Sequence, residues 1–237
     1  TSLHVEHLEL EGDTLSLDFL GKDSVRYQNK IKVPLEVANA IREAARGKAP
    51  DDILLSRATP SDVNAYLQTW MPGLTAKVFR TYNASSTFQA ALDKARASLV
   101  DVKEGAELDF LIAAYQRANG KVALLCNHRK NITQSSNEAV RKLRTRLKEA
   151  RAKLKETKPG SKNRERVKAR VAKLEASLSL KRELQNAALG TSKASYIDPR
   201  ITVAFARRHG IPINKLFTAA LQKRFSWAME TTADFSF

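Results

Sequence analysis

Cysteine and long apolar runs are scarce in this sequence. The 237 residues contain a single cysteine, Cys126, which excludes an intramolecular disulfide framework and any cysteine-rich zinc site. No uninterrupted apolar run approaches the roughly 20 residues of a membrane-spanning helix, and the N-terminus has no signal-peptide pattern. The chain opens with Thr1 rather than methionine, so we interpret it as a fragment or a processed product of a longer protein.

Several catalytic motifs are also absent. The sequence contains no G-x-x-x-x-G-K-[ST] nucleotide-binding loop and no H-E-x-x-H zinc motif. Of its four histidines, only His4 and His7 are close in sequence, and we expect them in a strand at an odd spacing, where their side chains leave opposite faces. The sequence therefore predicts neither a metal site nor a bound cofactor.

Positive charge, in contrast, is abundant. There are 41 lysines and arginines against 25 aspartates and glutamates, which gives a net charge of +16. Hydrophobic residues at 43% and charged residues at 28% are typical of a soluble globular protein of one to two domains. The charge excess favours a polyanionic partner, nucleic acid first and an anionic membrane surface second.

The pattern of residues 1–33 is typical of a small antiparallel sheet. Leu15, Leu17 and Phe19 recur at every second position, which is the period of a strand. Gly21-Lys22-Asp23 interrupts this pattern before it resumes, so we place Lys22 at the tip of a hairpin. A lysine at such a tip is usually a solvated turn residue.

Helical spacing dominates after residue 33. Helices are predicted to begin at Pro34, at Thr59-Pro60 and at Asp198-Pro199, because proline is favoured in the first turn and Thr or Asp can cap it. One helix is expected to end near Gly120, and one last helix is expected to hold residues 216–227. The fold class is therefore mainly α with a small antiparallel β-element at the N-terminus.

Residues 134–185 form a segment of distinct composition. Apolar residues recur there at alternating steps of three and four on either side of Pro159-Gly160, which predicts an antiparallel helical hairpin. Ser135 and Glu138 fit a capping box at its start, and Gly190 is the expected C-cap of its second helix. The segment has 17 lysines and arginines and six glutamates. A merely solvated coil would usually balance its charges, so this excess favours an arm near a phosphate backbone.

Four polar residues could together support phosphoryl transfer. A tyrosine such as Tyr196 can attack a phosphodiester, while Arg80 grips two non-bridging oxygens and the ring N–H of His128 adds a third hydrogen-bond donor. Lys22 can protonate the leaving alkoxide. Such a site needs no metal, and a phosphotyrosine diester conserves the energy for resealing without ATP. Each residue taken alone has a simpler structural explanation as a packing, capping or surface residue.

The same residues lie in motifs that resemble the eukaryotic-type IB DNA topoisomerases, specifically the C-terminal part of those enzymes. The resemblance runs from the first residues to the end of the chain. It rests on Ser2-Leu3-His4-Val5-Glu6-His7, Asp18-Phe19-Leu20-Gly21-Lys22-Asp23-Ser24, Gly73-Leu74-Thr75-Ala76-Lys77-Val78-Phe79-Arg80-Thr81-Tyr82-Asn83-Ala84-Ser85, Leu125-Cys126-Asn127-His128, Gly190-Thr191-Ser192-Lys193, and Tyr196 followed by Asp198-Pro199-Arg200-Ile201-Thr202-Val203.

The resemblance implies a fold, an activity and a set of roles. It implies a helical catalytic core of the topoisomerase IB and tyrosine recombinase type, with an antiparallel coiled-coil linker. Tyr196 would be the nucleophile that forms a 3′-phosphotyrosyl bond, Arg80 and His128 would stabilise the transition state, and Lys22 would act as general acid. Supercoils of either sign would relax by strand rotation. The implied partner is double-stranded DNA, bound by a monomer in the nucleus, with no membrane involved.

The resemblance also implies a domain layout. Residues 1–133 would be the end of the catalytic core, residues 134–185 the basic linker hairpin, and residues 186–237 a C-terminal domain that carries the nucleophile. The family uses a second arginine and a DNA clamp that lie upstream of the matched segments. We therefore expect this chain to need that N-terminal core region for full activity.

One residue departs from the family pattern. The position before the tyrosine is usually asparagine in this family and is Ser195 here. The resemblance places Ser195, together with Asp23 and Lys193, close to DNA and to camptothecin-type poisons. We expect Ser195→Asn to change poison-stabilised cleavage more than drug-free relaxation, measured as covalent adduct and as plasmid relaxation; equal effects on both would contradict this.

Two alternatives stay open on the sequence alone. A tyrosine recombinase uses a related residue set, but it would normally carry arginine three residues after the histidine, where this chain has Asn131. It would also lack the long basic hairpin. A non-catalytic basic DNA-binding or coiled-coil module would bind with a steep salt dependence and form no covalent adduct.

Overall fold

A computed structural model describes residues 2–21, 24–101 and 105–237. These residues form three β-strands and nine α-helices, joined by short 3₁₀ turns. The chain divides into two compact units, residues 1–79 and residues 80–237. In the described part of the chain, no helix combines the length and the apolar character needed to cross a membrane. The predicted fold class, mainly helical with a small N-terminal sheet, is confirmed.

The first unit contains a three-stranded antiparallel sheet. Its strands β1 (Leu8–Glu11), β2 (Thr14–Leu20) and β3 (Arg26–Lys32) pair in the order β1-β2-β3. Gly12 turns the chain between β1 and β2 with a φ of +61°, a left-handed conformation that favours glycine. The predicted hairpin residues Lys22 and Asp23 lie outside the described residues.

The expected strand around the two early histidines is wrong. His4 precedes a 3₁₀ turn over Val5–His7, and the His4 backbone N–H donates to His7 Nδ1 at 3.0 Å. The two rings therefore lie next to each other, with centroids 5.0 Å apart, rather than on opposite faces. The odd spacing misled because the local hydrogen bond closes a turn instead of extending the strand.

Two helices complete the first unit. Helix α1 (Leu35–Ala45) follows Pro34, and helix α2 (Pro60–Trp70) has proline at its first position, as predicted. The Thr59 side chain accepts from the Asp62 backbone N–H, while the Asp62 carboxylate accepts from the Thr59 backbone N–H, which makes a capping box. The bond from the Thr59 backbone N–H, together with a second from the Thr59 hydroxyl, holds the pKa of the Asp62 carboxyl below its usual value.

The second unit is built around one helical core. Helix α3 (Ala76–Ala97) leads into it, helix α4 (Glu107–Leu125) runs through it, and helix α8 (Pro199–Arg208) packs against both through buried apolar side chains. The buried residues of this core are Ala84, Phe88, Leu92, Leu111, Tyr115, Ala118, Val122, Ile197, Ile201, Phe205, Ala206, Ile211 and Leu216.

The predicted helix end near Gly120 is wrong. Helix α4 continues through Gly120 to Leu125. A Cβ at position 120 would collide with the side chain of Leu184. Gly120 therefore permits a close approach to Leu184 at the end of the hairpin, and this packing outweighs the low helix propensity of glycine.

The predicted helical hairpin is formed by α5 (Gln134–Glu156) and α6 (Lys162–Glu183). Arg151 pairs with Glu175 at 2.7 Å, and the Arg164 guanidinium donates to the Leu154 carbonyl at 3.0 Å, so the two helices run antiparallel. Buried apolar side chains line the seam: Val140, Leu147, Ala150, Val171 and Leu178. The expected Ser135–Glu138 capping box is wrong, because Thr133 is the N-cap and its side chain accepts from the Ser136 N–H.

Three short helices follow the hairpin. Gly190 is not the C-cap of α6, which ends at Glu183; it is the second residue of α7 (Leu189–Ser195). Helix α8 begins at the predicted Asp198-Pro199 cap and precedes Gly210, which has a φ of +61°. The single last helix predicted over residues 216–227 is wrong, since Thr218 caps a short α9 (Ala219–Arg224) that is flanked by 3₁₀ turns.

Candidate active site

Arg80 is the fifth residue of α3 and is exposed. Its Nη1 atom is 3.4 Å from the hydroxyl oxygen of Tyr196, to which it donates, and its guanidinium carbon is 5.5 Å from the centre of the Tyr196 ring. These two predicted site residues are 116 positions apart in sequence. The fold of the second unit thus brings a guanidinium beside a phenol hydroxyl.

His128 is positioned by the way α4 ends. Asn127 adopts a φ of +54°, a left-handed conformation in which asparagine is one of the few tolerated residues. The Asn127 N–H donates to the Leu124 carbonyl at 3.0 Å, and the His128 N–H donates to the Ala123 carbonyl at 2.7 Å. This pair of bonds is a Schellman motif, which closes the helix and turns His128 out of its axis.

The backbone that follows His128 is tied to the start of α7. The Ala188 N–H donates to the His128 carbonyl at 2.8 Å, and the Lys130 N–H donates to the Asn186 carbonyl at 2.9 Å. Arg129 and Ala187 form an isolated antiparallel bridge between these bonds. The two ends of the hairpin are therefore fixed to each other, and His128 is held beside the helix that precedes Tyr196.

The His128 ring contacts two residues of that region. Its Nδ1 is 2.9 Å from the hydroxyl oxygen of Ser192, whose side chain is fully buried. Its ring centre is 5.3 Å from that of Tyr196, with the two planes inclined by 33°. The structure therefore brings the side chains of Arg80, His128 and Tyr196 together.

Tyr196 follows the last residue of α7, and its backbone is held on both sides. Its N–H donates to the Ser192 carbonyl at 3.0 Å, and its carbonyl accepts from the Ser85 hydroxyl at 3.4 Å. The buried Ser85 oxygen in turn accepts from the Asp198 N–H at 3.0 Å. Ile197 lies between them in the core, so the tyrosine is anchored by packing as well as by hydrogen bonds.

Two residues of the site were missed by the sequence reasoning. Ser85 and Ser192 are buried serines that hold Tyr196 and His128, and neither was named as a candidate. Both lie inside motifs that carry the family resemblance. The available signal was that each serine lies within a predicted helical segment at a position where it does not cap a helix. Their partners are more than 60 residues away, so the spacing of the sequence did not identify them.

The remaining candidate residues have different surroundings. The Lys193 ammonium donates to the Leu216 carbonyl at 3.1 Å and lies 5.1 Å from the centre of the buried Tyr115 ring. Burial lowers the pKa of Lys193 below its usual value. Ser195 is the half-buried last residue of α7, directly before Tyr196. Lys22 and Asp23 lie outside the described residues.

Cys126 lies close to the site. Cys126 is half-buried two residues before His128, and burial raises the pKa of its thiol although the nearby Arg80 guanidinium opposes this. Within residues 2–21, 24–101 and 105–237, no group of three or more His, Cys, Asp or Glu side chains is arranged to hold a metal ion. The groups present can donate hydrogen bonds to an anion and offer one phenol hydroxyl.

Comparison with known proteins gives two family matches. Residues 1–160 match the model described as eukaryotic DNA topoisomerase I, catalytic core, and residues 168–237 match the model described as C-terminal topoisomerase domain.

Three relatives illustrate the similarity. DNA topoisomerase 1 of Caenorhabditis elegans is 39% identical over 98% of this chain and 31% of its own length. DNA topoisomerase 1 alpha of Arabidopsis thaliana is 36% identical over 94% of this chain and 26% of its own length. DNA topoisomerase 1 of Homo sapiens is 36% identical over 97% of this chain and 33% of its own length. The chain thus spans about a quarter to a third of the length of these relatives.

Proposed function

The chain belongs to the eukaryotic DNA topoisomerase I family, and from this premise we propose that it carries the strand-cleaving chemistry of a type IB DNA topoisomerase. In this proposal Tyr196 attacks a DNA phosphodiester, forms a 3′-phosphotyrosyl bond and releases a 5′-hydroxyl strand. The broken strand rotates about the intact one, which relaxes supercoils of either sign. The reverse attack by the 5′-hydroxyl then reseals the strand.

The observation that carries this proposal is the convergence of three side chains. The Arg80 Nη1 atom is 3.4 Å from the Tyr196 hydroxyl, and the His128 ring centre is 5.3 Å from that of the tyrosine. A phosphorus atom attacked by the Tyr196 oxygen would develop negative charge beside a guanidinium, which can grip two oxygens at once. Fixed donors of this kind stabilise such a transition state without reorganising during the reaction.

Proton transfer completes the proposed step. The Tyr196 oxygen forms the new P–O bond and loses its proton to a solvent water molecule, while the P–O bond to the DNA 5′-oxygen breaks and that oxygen gains a proton. We assign the second proton to the Lys22 ammonium, following the resemblance. The number of phosphodiester bonds is conserved, since one P–O bond forms as another breaks, so resealing needs no nucleotide triphosphate.

The charge of the chain supports double-stranded DNA as the partner. The hairpin segment, residues 134–185, has 17 lysines and arginines against six glutamates, within a chain of net charge +16. Neutralising DNA phosphates with such side chains releases counterions and gives affinity that falls steeply with salt. We propose that the hairpin lies along the duplex and that one chain, with one nucleophile, acts as a monomer.

The proposed domain layout assigns a role to each part of the chain. Residues 1–133 belong to the catalytic core, residues 134–185 form the linker, and residues 186–237 deliver Tyr196. A second arginine and the closing half of a DNA clamp would come from a region upstream of these segments. Loss of one transition-state donor lowers a rate by about 10²–10³, so activity should rise when that region is supplied.

The test is a covalent trapping assay on a suicide DNA substrate. The leaving strand is short, diffuses away after cleavage and leaves a protein–DNA adduct on a denaturing gel. The assay uses this chain alone and with a polypeptide comprising the remaining part of the Caenorhabditis elegans relative. We expect an adduct that strengthens in the second condition and disappears in Tyr196→Phe. Tyr66→Phe, which removes a hydroxyl from an exposed tyrosine of α2, is the matched control and should retain the adduct.

Other results would favour the alternatives. Tight, salt-sensitive DNA binding with no adduct in either condition would identify a non-catalytic basic DNA-binding module. An adduct together with formation or resolution of Holliday junctions would identify a recombinase-like enzyme. Relaxation of plasmids without site preference, by the combination that forms the adduct, supports the topoisomerase.

We propose the nucleus as the compartment, following the resemblance. The related DNA topoisomerase I, mitochondrial of Rattus norvegicus is 36% identical over the whole of this chain, so a relative named for the other compartment resembles it as well. Fractionation of the source cells, with antibodies against the chain, decides between the compartments. Recovery with mitochondria rather than nuclei would overturn the nuclear assignment.

A further inference from the structure

Ser192 is hydrogen-bonded to two residues on which the proposed reaction depends, the side chain of His128 and the backbone of Tyr196. Its hydroxyl oxygen is 2.9 Å from His128 Nδ1, and its carbonyl accepts the Tyr196 N–H at 3.0 Å. The same carbonyl also accepts the Ile197 N–H at 3.0 Å. One residue of α7 therefore sets the position of the His128 ring relative to the Tyr196 backbone.

The burial of Ser192 makes this contact specific. The serine is fully buried, and His128 itself is half-buried. Bulk water does not reach the Ser192 side chain, so a solvent molecule cannot readily replace its hydroxyl. Removing one partner of a hydrogen bond at such a site removes the interaction and also leaves the remaining group poorly solvated.

The contact also bears on which ring nitrogen carries a proton. In a neutral imidazole one nitrogen donates and the other accepts, and the bond made by one nitrogen selects the state of the other. If the Ser192 hydroxyl donates to Nδ1, the proton of the ring is on Nε2. A neutral His128 can then donate from Nε2 to a phosphate oxygen.

We propose that Ser192 is a positioning residue, which donates to Nδ1 of His128, selects its Nε2–H tautomer and orients the ring beside Tyr196. This inference rests on the proposed function for its catalytic meaning, but the hydrogen bond and the tautomer can be measured without any DNA. Ser192 does not touch the reacting atoms in this proposal; it acts through His128.

The first experiment measures the tautomer directly. The chain is labelled with ¹⁵N-histidine, and its four histidines give long-range ¹H–¹⁵N spectra in which His128 is assigned by His128→Gln. At a pH where the ring is neutral, we expect an unprotonated Nδ1 and a protonated Nε2. In Ser192→Ala we expect both nitrogen shifts of His128 to move toward averaged values. Ser177→Ala, which removes a hydroxyl bonded to the Lys173 carbonyl on α6, should leave them unchanged.

Two outcomes of that experiment overturn the proposal. One is a protonated Nδ1 in the unsubstituted chain, and the other is an identical His128 pattern in Ser192→Ala. The fold of the variant is checked by the amide spectrum. Ser192→Cys, which keeps a weaker donor of similar shape, should give shifts between those of the serine and alanine forms.

The second experiment is a double-mutant cycle on single-turnover cleavage of the suicide substrate. We expect Ser192→Ala to lower the rate about tenfold and His128→Ala to lower it by about 10²–10³. Since Ser192 acts through His128, the double variant should match His128→Ala within about twofold. A further tenfold loss in the double variant would overturn the positioning role. If the tautomer depends on Ser192 but neither His128→Ala nor Tyr196→Phe changes cleavage, the proposed function is wrong and the catalytic part of this inference falls with it.

Discussion

At the scale of the residue, Lys193 shows how a basic side chain can serve the fold instead of the DNA. Its ammonium donates to the Leu216 carbonyl at 3.1 Å and lies against the ring of Tyr115. Both contacts draw the charged end of the side chain toward the core of the second unit. The role near DNA that the resemblance implies for Lys193 thus competes with a structural one.

A substitution separates these roles. We expect Lys193→Met to lower the free energy of unfolding by about 1 kcal/mol, because the bond to the Leu216 carbonyl is lost. The salt slope of DNA binding should stay unchanged, whereas loss of a phosphate contact reduces it by about 1. Urea denaturation and binding at several salt concentrations measure the two effects. Lys168→Met, at an exposed position of α6, is the control and should leave stability unchanged; unchanged stability and a reduced slope in Lys193→Met would refute the structural role.

Because of Tyr115, the stability of the second unit should depend on pH in the alkaline range. Burial raises the pKa of the Tyr115 hydroxyl far above its usual value, and its oxygen is 3.1 Å from the Thr202 hydroxyl oxygen. Above about pH 10 the unfolded chain loses this proton while the folded chain keeps it. The unfolded state then binds fewer protons, so the free energy of unfolding falls as pH rises.

We therefore expect Tyr115→Phe to flatten that decline. At neutral pH the variant should be less stable by about 1 kcal/mol, because Thr202 loses its buried partner. Between about pH 10 and pH 11 its free energy of unfolding should fall less steeply than that of the unsubstituted chain. Urea denaturation across this range tests the prediction, with the exposed Tyr66→Phe as control. Equal slopes for all three chains would show that Tyr115 ionisation is not the cause.

At the scale of the element, the end of α4 decides where His128 lies. Asn127 holds a φ of +54°, which costs roughly 1–2 kcal/mol for most side chains and little for glycine. We expect Asn127→Ala to lower the free energy of unfolding by about 1 kcal/mol and to reduce cleavage of the suicide substrate. Asn127→Gly should leave both the free energy of unfolding and the cleavage of the suicide substrate unchanged within experimental error. Similar losses in the two variants would mean that the backbone conformation is not what positions His128.

Element starts were predictable from the sequence where a side chain caps its own helix. Thr59-Pro60 and Asp198-Pro199 begin α2 and α8 as expected, because the capping groups are within a few residues of each other. The period of two in β2 likewise reflects neighbouring residues alone. Local interactions of this kind are encoded in a short window of sequence. The helix starts at Thr59-Pro60 and Asp198-Pro199 are confirmed, whereas the Ser135–Glu138 capping box is not, because the neighbouring Thr133 caps α5 instead.

Element ends failed where distant packing determines them. Gly120 continues α4 because Leu184, 64 positions later, needs the space that a side chain would occupy. Gly190 falls inside α7 because residues 184–186 turn first and Ala187 pairs with Arg129. The candidate site followed the same rule. Arg80, His128 and Tyr196 were named from their chemistry and from the resemblance, whereas Ser85 and Ser192 required the tertiary contacts.

At the scale of the whole molecule, charge is concentrated rather than spread. The hairpin segment of residues 134–185 contributes 11 of the 16 excess positive charges. Its seam is apolar, and the described ion pairs engage few of its basic side chains, such as Arg151 with Glu175 and Lys173 with Asp109 of α4. Most of its basic side chains are exposed to solvent and can therefore screen a polyanion.

This distribution predicts that the hairpin sets the salt dependence of DNA binding without setting the chemistry. Replacing residues 148–174 by a short Gly-Ser turn shortens the hairpin and removes 11 basic and three acidic residues. The part of the hairpin next to the core, residues 134–147 and 175–185, is kept. If all eight net charges neutralise phosphates, the slope of log affinity against log salt becomes less steep by up to about 7. Tyr196-dependent adduct formation at low salt should persist, because Arg80, His128 and Ser192 lie outside the deleted segment. A full-length hairpin with its exposed lysines and arginines changed to glutamine separates charge from shape. If that variant keeps the original slope, the hairpin is not the arm that contacts the phosphate backbone.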